Sequence, residues 1–231
     1  MTAVSLTEQV KLIPTMKKTY LCRSVIIATG ARPKHLDVPN ENELTGQGVH
    51  YCASCDGMFY KGKTVMVVGG GNSALEDALL LSRLASKVYL VHRRDTLRAA
   101  KIYQEQMRHT KNIEFIPQHV VNELVKKQNE IDVVLKNTAT NELTPITCDG
   151  LFVSIGHYPA TELFRGIIDL EDSGYIKANE STCTNIPGVF AAGDVRTKPM
   201  HQIVTALADG AVAAHHAENY VADFGAKSNS Q

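Results

Sequence analysis

The segment Thr64–Leu81, TVMVVGGGNSALEDALLL, contains the pattern that decides the fold of this chain. Its first five residues form an apolar, mostly β-branched run, which predicts a buried strand, and three glycines follow directly. Ala74, Ala78 and Leu81 then recur near helical spacing. A further apolar run at Val88–Val91 predicts another strand. Strand, glycine turn, helix and strand within about thirty residues make one βαβ unit, and such units build parallel sheets.

Short apolar runs on both sides of this unit predict more strands. They are Ser24–Ala28, Ile113–Ile116, Val120–Val125, Ile131–Leu135, Leu151–Ile155 and Val189–Ala192. The pair 120–125 and 131–135 flanks Gln128-Asn129, which favours a hairpin. Residues 31–48, ARPKHLDVPNENELTGQG, are interpreted as a linker because proline, glycine and asparagine are frequent there. The last segment, IVTALADGAVAAHHAENYVADF, predicts a well-packed helix, so the fold class is α/β.

The composition is that of a globular protein. The 231 residues are 44% hydrophobic and 21% charged, so the chain can bury a core as one large or two smaller domains. Lysine plus arginine equals aspartate plus glutamate at 24 each, so no overall field recruits nucleic acid or an anionic membrane. The N-terminal segment lacks a signal-peptide pattern, and no apolar run approaches the roughly 20 residues of a membrane span. We therefore expect a cytoplasmic protein.

The glycine turn has the spacing of a dinucleotide site. Gly69, Gly71 and Ala74 form G-x-G-x-x-A between a strand and a helix. The first glycine permits the tight turn, the second lets the backbone approach a pyrophosphate, and the alanine allows close packing of helix on strand. Amide groups at the start of the helix, from Asn72 and Ser73, then meet a phosphate. The alternative is a purely structural tight turn.

The end of the next strand indicates which dinucleotide is bound. An NAD site has a carboxylate there, but this chain has His92, Arg93 and Arg94, with Arg98 four residues beyond Arg94. Guanidinium groups pair well with a 2′-phosphate and gain nothing from a bare hydroxyl. We therefore expect NADPH rather than NADH. The alternative is a solvated basic cluster that begins a surface helix.

Two cysteines stand two residues apart in the segment YCASCDGMFY, Tyr51–Tyr60. A zinc site needs about four ligands at short spacing, but the other three cysteines stand alone, so we predict no metal site. A disulfide that closes so small a loop contributes little stability. The pair Cys52 and Cys55 can instead switch between dithiol and disulfide, with Asp56 placed to shuttle a proton. Redox exchange is therefore favoured over a pair of inert core thiols.

Four motifs, in order, are similar to those of one family. YCASCDGMFYKGKTVMVVGGGNSALEDALLL, VYLVHRRDTLRA, VFAAGDV and HQIVTALADGAVAA strongly resemble the bacterial low-molecular-weight thioredoxin reductases, over about residues 25–221. The resemblance implies a homodimeric flavoenzyme that carries hydride from NADPH to FAD, and then electrons to the Cys52–Cys55 pair and to thioredoxin. It also implies that Cys55 lies beside the flavin, that Cys52 attacks the partner protein, and that Asp56 acts as acid and base.

A flavin site and a two-domain layout follow from the same resemblance. The implied FAD contacts are Thr29, Gly30, Gly193, Asp194, His201 and Gln202, and Gly156 is assigned to NADPH. Asp194 would accept hydrogen bonds from the ribityl hydroxyls, whereas His201 departs from the arginine that the family usually has. Residues 34–157 are expected to form a Rossmann-like NADPH domain, inserted into an FAD domain made of residues 1–33 and 158–231.

One segment of the family has no counterpart in the sequence. Family members begin with a strand and a second glycine-rich fingerprint, which holds the pyrophosphate of FAD, and no such pattern precedes Val25. The chain is therefore expected to correspond to the carboxy-terminal two-thirds of a reductase, with an incomplete FAD domain, and alone to bind NADPH without holding FAD or reducing thioredoxin. Two alternatives stay open. One is a disulfide reductase that serves a peroxidase, like the flavoprotein of alkyl hydroperoxide reductase, and the other is an NADPH-binding module without turnover.

Overall fold

The computed structural model describes residues 4–228, with side chains through residue 223. The chain divides into two compact units. Pro33–Gly156 forms one of them, called here the inserted unit. Met1–Arg32 and His157–Gln231 together form the other, called here the discontinuous unit. The inserted unit is thus one continuous stretch, whereas the discontinuous unit is assembled from both ends of the chain.

The described residues form fourteen strands, five α-helices and three short 3-10 helices. The strands are β1 (Lys11–Pro14), β2 (Thr19–Cys22), β3 (Val25–Ile27), β4 (Ala31–Pro33), β5 (Val49–His50), β6 (Thr64–Val68), β7 (Lys87–Val91), β8 (Ile113–Ile116), β9 (His119–Lys126), β10 (Ile131–Asn137), β11 (Leu143–Cys148), β12 (Gly150–Val153), β13 (His157–Pro159) and β14 (Val189–Ala191). The α-helices are α1 (Glu41–Leu44), α2 (Ala53–Asp56), α3 (Asn72–Ser82), α4 (Lys101–His109) and α5 (Ile203–Ser228), and short 3-10 helices span Gly57–Tyr60, Glu162–Phe164 and Gly193–Val195. Every predicted strand is present, with its ends shifted by at most two residues.

A five-stranded parallel sheet, in the order β5-β12-β6-β7-β8, forms the centre of the inserted unit. α3 connects β6 to β7 and α4 precedes β8, so both are crossovers of the kind that parallel neighbours require. β6 is apolar at nearly every position because both faces of the sheet are covered. Val65 and Val67 pack with the helices, while Met66 and Val68 face the opposite layer. The predicted βαβ unit is confirmed.

The opposite layer is a three-stranded antiparallel sheet in the order β11-β10-β9. Leu124, Val133 and Leu135 of this sheet share one core with the parallel sheet. β9 and β10 form the hairpin that the sequence predicts. β11 was not predicted, because Pro145 interrupts its pattern. A proline is tolerated there because β11 lies at the edge of the sheet, where one row of backbone groups needs no ladder partner.

In the discontinuous unit, β3 and β14 pair in parallel, with Val25 opposite Val189. β1 and β2 form an antiparallel hairpin that the sequence analysis did not predict, and β4 pairs with β13. The core of the unit is aliphatic, and Leu6, Ile176 and Val195 are fully buried in it. α5 is the helix predicted near the end of the chain. Within the described residues, no helix is both long enough and apolar enough to cross a membrane.

The interpretation of residues 31–48 as a linker is wrong. The segment contains β4 and α1, and its Glu41 side chain is buried. Glu41 accepts hydrogen bonds from the backbone N–H groups of Leu36 and Asp37, each at 2.8 Å, and from the Tyr51 hydroxyl, also at 2.8 Å. Burial, and next the hydrogen bond to Glu41, raise the pKa of Tyr51 to about 12. Prolines and asparagines here shape an ordered turn that one buried carboxylate organises.

Replacing Glu41 with glutamine is expected to destabilise the inserted unit by about 1–3 kcal/mol, because one amide N–H of the new side chain would face a backbone N–H instead of accepting from it. The matched control is Glu43→Gln on the same helix, since Glu43 is exposed and its charge is solvated. Chemical denaturation followed by far-ultraviolet circular dichroism measures both free energies of unfolding. Equal stabilities for the two variants would contradict the role given to Glu41.

Candidate dinucleotide and disulfide sites

A cavity of about 520 Å³ lies at the carboxyl ends of β6, β7 and β12 in the inserted unit. Open parallel sheets bind their ligands at this edge. The residues predicted from the sequence that line it are Gly69, Gly71, Ser73, His92, Arg93, Arg98 and Gly156. Sequence analysis missed Lys34, His35 and Ser154, which also line it. The first two belong to the segment interpreted as a linker, which hid their place beside the cavity.

Gly69 and Gly71 serve the turn in different ways. Gly69 has a φ of 155°, and a Cβ there would lie 2.3 Å from the Ser154 carbonyl oxygen and 2.6 Å from the Ala74 Cβ. Ala74 is fully buried at this contact and does not line the cavity. Gly71 has a φ of −94°, and a Cβ there would meet nothing within 4 Å. Gly69 therefore makes the fold possible, while Gly71 leaves open space beside the backbone, which fits an approaching phosphate.

Hydrogen bonds tie the glycine turn to the segment that follows β7. The Asn72 side-chain oxygen accepts from the Ala100 N–H at 2.8 Å, and the Gly70 carbonyl accepts from the Arg98 N–H at 2.8 Å. Asn72 does not line the cavity, so its visible role is to hold the turn. These contacts fix the backbone of Arg98 beside the glycine turn, although Arg98 and the turn are distant in sequence.

Gly69→Ala is expected to destabilise the inserted unit by roughly 1–3 kcal/mol, because the added methyl group overlaps a backbone carbonyl in a packed contact. Gly71→Ala is the matched control, since the same methyl group enters open space at an ordinary φ. Its stability should stay within about 0.5 kcal/mol of the native protein. Urea denaturation of the two variants in parallel measures the difference. A Gly71 variant as unstable as the Gly69 variant would count against this division of roles.

Basic side chains gather at the end of β7. Arg93 and Arg98 line the cavity, whereas Arg94 is exposed and does not line it. His92 is buried, and its Nε2 atom has no hydrogen-bond partner among the described residues. Burial lowers the pKa of His92, and the charges of Arg98, Arg93 and Arg94 lower it further, so its ring is neutral at pH 7. A phosphate-bearing dinucleotide fits this cavity, because two arginines, Arg93 and Arg98, line it.

Cys52 and Cys55 form a disulfide, with an S–S distance of 2.06 Å. Cys52 is the residue before α2, and its sulfur accepts a hydrogen bond from the Cys55 N–H at 3.2 Å. Once the disulfide opens, that N–H is placed to stabilise negative charge on the Cys52 sulfur. Met58 and Phe59 follow the pair and are 64% and 72% exposed, so apolar surface lies next to the disulfide in sequence.

Asp56 belongs to a hydrogen-bonded chain that the sequence analysis missed. Its Oδ2 atom lies 3.0 Å from Nδ1 of His50, and Nε2 of His50 lies 2.7 Å from the Tyr60 hydroxyl. His50 and Tyr60 are both buried. The available signal in the sequence was that both residues stand close to the cysteine pair, His50 before it and Tyr60 after it. Nothing in the spacing alone indicated that the two side chains meet.

The remaining cysteines have ordinary structural environments. Cys148 is buried, and burial raises its pKa to about 12. Burial also raises the pKa of Cys22, which lies in the β1–β2 hairpin. Thiols held protonated in this way are poor nucleophiles at neutral pH. In the part of the chain that the structure describes, no group of three or more histidine, cysteine or acidic side chains is placed to hold a metal ion.

The residues assigned to the flavin lie in the discontinuous unit. Gly193 and Asp194 follow β14 in a 3-10 helix, and the Gly193 N–H donates to Asp209 Oδ2 at 3.0 Å. Lys198 donates to the same oxygen at 2.8 Å, which fixes the turn. The Oδ1 atom of Asp194 is buried and has no hydrogen-bond partner among the described residues. A ligand hydroxyl fits that oxygen, because a buried acceptor without a donor is otherwise costly.

The other four residues assigned to the flavin differ in their contacts with the protein. The Thr29 hydroxyl donates to the Ala160 carbonyl at 2.7 Å, and Gly30 has a φ of 72° with open space where a Cβ would be. The His201 ring lies 5.2 Å from the ring of Tyr175, centre to centre. Gln202 lies just before α5, and its backbone N–H donates to the Thr205 hydroxyl at 3.1 Å. Gly30 is therefore accessible, while the Thr29 hydroxyl already has a protein partner.

Comparison with known proteins gives a consistent result. The family model described as "Pyridine nucleotide-disulphide oxidoreductase" matches residues 2–210. The thioredoxin reductase of Peptoclostridium acidaminophilum is 45% identical over 224 residues, covering 94% of this chain and 71% of that protein. The thioredoxin reductase of Bacillus subtilis is 42% identical over 218 residues, covering 94% of this chain and 69% of that protein.

A solved structure is also similar. The crystal structure of thioredoxin reductase from Streptococcus pyogenes superposes with a TM-score of 0.90 at 38% identity, covering 96% of this chain and 73% of that one. The thioredoxin reductase from Giardia duodenalis superposes with a TM-score of 0.88 at 32% identity and the same 96% of this chain. The similarity thus extends to the arrangement of the strands and helices and not only to short motifs.

Proposed function

The chain belongs to the pyridine nucleotide-disulphide oxidoreductases and, within them, to the bacterial low-molecular-weight thioredoxin reductases, and we propose that Cys52 and Cys55 are its redox-active pair. The activity is NADPH-dependent reduction of the thioredoxin disulfide. The observation that carries the proposal is the Cys52–Cys55 disulfide, followed directly by Asp56, in the same unit as a cavity with two arginines in its lining. Electron transfer through a dithiol and binding of a 2′-phosphate are the two tasks that such an enzyme requires.

For NADPH, the proposed site is the cavity of the inserted unit. The space over Gly71 takes the pyrophosphate, and Ser73 at the start of α3 offers its backbone N–H to it. Arg93 and Arg98 take the 2′-phosphate, with Arg94 as a nearby charge that does not line the cavity. Since His92 is neutral, its Nε2 atom is free to accept or donate a single hydrogen bond to the ligand.

For FAD, the proposed contacts are Gly30, Gly193 and Asp194, with Thr29, His201 and Gln202 nearby in the same unit. The flavin supplies the chemistry that accepts a hydride from NADPH and passes electrons to a disulfide. Asp194 would accept from a ribityl hydroxyl through its unpaired Oδ1. Asp209 acts one step away, because it fixes the Gly193 N–H and therefore the turn that presents Asp194.

The thiol chemistry follows from the residues of the inserted unit. With the pair reduced, Cys52 loses its proton to the Asp56 carboxylate and attacks one sulfur of the thioredoxin disulfide, whose other sulfur leaves as a thiolate. Asp56 returns the proton to that leaving thiolate. Cys55 then loses its proton to Asp56 and attacks the sulfur of Cys52, which breaks the bond between Cys52 and thioredoxin. The thioredoxin sulfur leaves as a thiolate and takes that proton from Asp56, the Cys52–Cys55 bond re-forms, and reduced thioredoxin departs. Two electrons leave the pair and enter thioredoxin, and no proton is left over.

We also propose that the protein works as a homodimer in the cytoplasm, as the family resemblance implies. The family also suggests the partner class, a small thioredoxin with an exposed disulfide. Met58 and Phe59 supply exposed apolar surface beside Cys55 in sequence, which suits contact with another protein.

The experiment is a coupled assay with the holoenzyme. NADPH consumption is followed after addition of oxidised thioredoxin, and the new thioredoxin thiols are counted with a chromogenic thiol reagent. We expect one dithiol to form for each NADPH consumed. The peroxidase partner of an alkyl hydroperoxide reductase, used in place of thioredoxin, separates the two kinds of reductase. Reduction of that protein in preference to thioredoxin would overturn the proposed partner. If neither protein increases NADPH consumption, the proposed function is wrong.

A further inference from the structure

We propose that His50 is a positioning residue that orients the Asp56 carboxylate during thiol–disulfide exchange, and that Tyr60 holds His50 in the tautomer this requires. The inference rests on the proposed function, because it gives Asp56 its role as acid and base. It adds two buried residues to that role, one before the cysteine pair and one after it. Among the described residues, His50 contacts Asp56 and Tyr60 and has no hydrogen bond to either sulfur. Both residues are therefore proposed to act through Asp56.

The three side chains form a continuous chain of contacts. Asp56 Oδ2 lies 3.0 Å from His50 Nδ1, and His50 Nε2 lies 2.7 Å from the Tyr60 hydroxyl oxygen. Each distance is that of a good hydrogen bond. The Asp56 side chain is 34% exposed, whereas that of His50 is 9% exposed. The chain therefore runs from the solvent side, where the disulfide lies next to Asp56 in sequence, into the core.

The chemistry of the three groups fixes which atom carries which proton. An ionised carboxylate only accepts hydrogen bonds, so Nδ1 of His50 donates to Asp56. A neutral imidazole then has Nε2 as an acceptor, and the Tyr60 hydroxyl donates to it. Burial, and next the charge of Asp56, raise the pKa of Tyr60, which keeps its hydroxyl protonated as a donor. Both ring nitrogens of His50 thus have a partner in one consistent arrangement.

Packing holds the chain in place. The His50 ring stacks on Phe152 with centres 5.3 Å apart and planes 27° apart, and Tyr60 meets the edge of Phe152 at 5.4 Å. A Cβ at Gly150 would lie 2.3 Å from the Tyr60 ring, so the glycine at the start of β12 makes room for it. The His50 ring is therefore confined between Phe152 and Tyr60, and its Nδ1 atom has one direction to point.

The structure describes a small set of charged or titratable groups near His50 and Tyr60. Asp56 and Tyr60 contact His50 directly. Cys148 and Asp149, from the end of β11 and the turn after it, act electrostatically on Tyr60. The Lys63 ammonium lies 5.5 Å from the centre of the Tyr60 ring. Among the described residues, Asp56 is thus the acid in direct contact with His50, and the other charges named here lie near Tyr60.

The consequence is a defined path for the protons that the two thiols release in turn. When the Cys52 thiol ionises, its proton moves to Asp56, and the hydrogen bond from His50 keeps the receiving carboxyl turned so that the proton is returned to the leaving sulfur of the partner. A second proton follows the same route when Cys55 attacks Cys52. No electron passes through His50 or Tyr60, and the dithiol remains the only group oxidised while the partner disulfide is the only group reduced.

Two variants at His50 and one at Tyr60 test the inference in the holoenzyme. His50→Leu removes both hydrogen bonds, His50→Asn restores a donor at the position of Nδ1, and Tyr60→Phe keeps the packed ring but removes the hydroxyl. Enzyme reduced with NADPH is mixed with oxidised thioredoxin at neutral pH in a stopped-flow instrument, which measures the rate of exchange. The matched control is His109→Leu, which removes an exposed histidine from α4 of the same unit.

We expect His50→Leu to slow exchange about tenfold and Tyr60→Phe about fivefold, the loss of one to two hydrogen bonds. His50→Asn should recover most of the rate, because its amide again donates a hydrogen bond to Asp56. Flavin reduction by NADPH should be unchanged in all variants. Unchanged exchange rates would overturn the inference, and so would a His50→Asn variant that is as slow as His50→Leu. Cys52→Ser, measured in parallel, distinguishes failure of this inference from failure of the proposed function. A Cys52 variant that still reduces thioredoxin would contradict the proposed function itself.

Discussion

Replacing Cys52 with serine is expected to abolish thioredoxin reduction while NADPH still reduces the bound flavin. Serine keeps the size of the side chain but supplies no thiolate at neutral pH, so the attack on the partner disulfide has no nucleophile. Hydride transfer to the flavin needs no sulfur and should keep its rate. Stopped-flow bleaching of the flavin by NADPH measures the first step, and the thioredoxin-coupled assay measures the second.

The matched control is Cys183→Ser, because Cys183 is a free, half-buried cysteine of the discontinuous unit. It should leave both steps unchanged. Cys55→Ser should also lose turnover, but here Cys52 can still attack and the mixed disulfide with thioredoxin should accumulate. Mass spectrometry of the non-reduced protein detects that adduct. Thioredoxin reduction at the native rate by the Cys52 variant would show that another thiol is the nucleophile.

Neutral replacements of Arg93 and Arg98 are expected to weaken NADPH binding by roughly tenfold to a hundredfold for each arginine, the equivalent of one lost charge-assisted hydrogen bond. NADH binding should change little, because a ribose hydroxyl gains nothing from a guanidinium group. Both side chains line the cavity at the end of β7. Fluorescence or calorimetric titration with the two nucleotides gives the ratio of the dissociation constants directly.

Arg94→Gln serves as the matched control for these variants. Arg94 stands next to Arg93 but does not line the cavity, so its removal should cost only the long-range part of the attraction. That part falls with added salt, because exposed charges are screened. Equal losses of NADPH and NADH affinity in the Arg93 and Arg98 variants would remove the argument for a 2′-phosphate.

The glycine turn could be predicted from the sequence because its determinants are local. Gly69 and Ala74 meet across five residues, and the strand before them and the helix after them have clear periodicities. The cysteine pair is local as well. In both cases the spacing along the chain already fixes which atoms come together.

Other parts of the site depend on contacts that spacing does not reveal. Glu41 looked like one acid in a polar segment, yet it organises the backbone of Leu36 and Asp37. His50 and Tyr60 meet only because β5 and the 3-10 helix after α2 pack on Phe152. In the basic cluster, which was predicted, spacing did not reveal that Arg98 lines the cavity and Arg94 does not. Such residues are found by asking what a buried polar atom bonds to.

The ends of the inserted unit lie side by side, since the Lys34 N–H donates to the Gly156 carbonyl at 2.9 Å. For the discontinuous unit, the whole stretch between them therefore acts as a tight turn, whatever its length. Closing a long flexible loop costs entropy that grows with its length, but here the fold of the inserted unit itself holds the ends together. The discontinuous unit therefore does not bear that entropic cost. The inserted unit has its two ends next to each other, which suits separate expression or circular permutation.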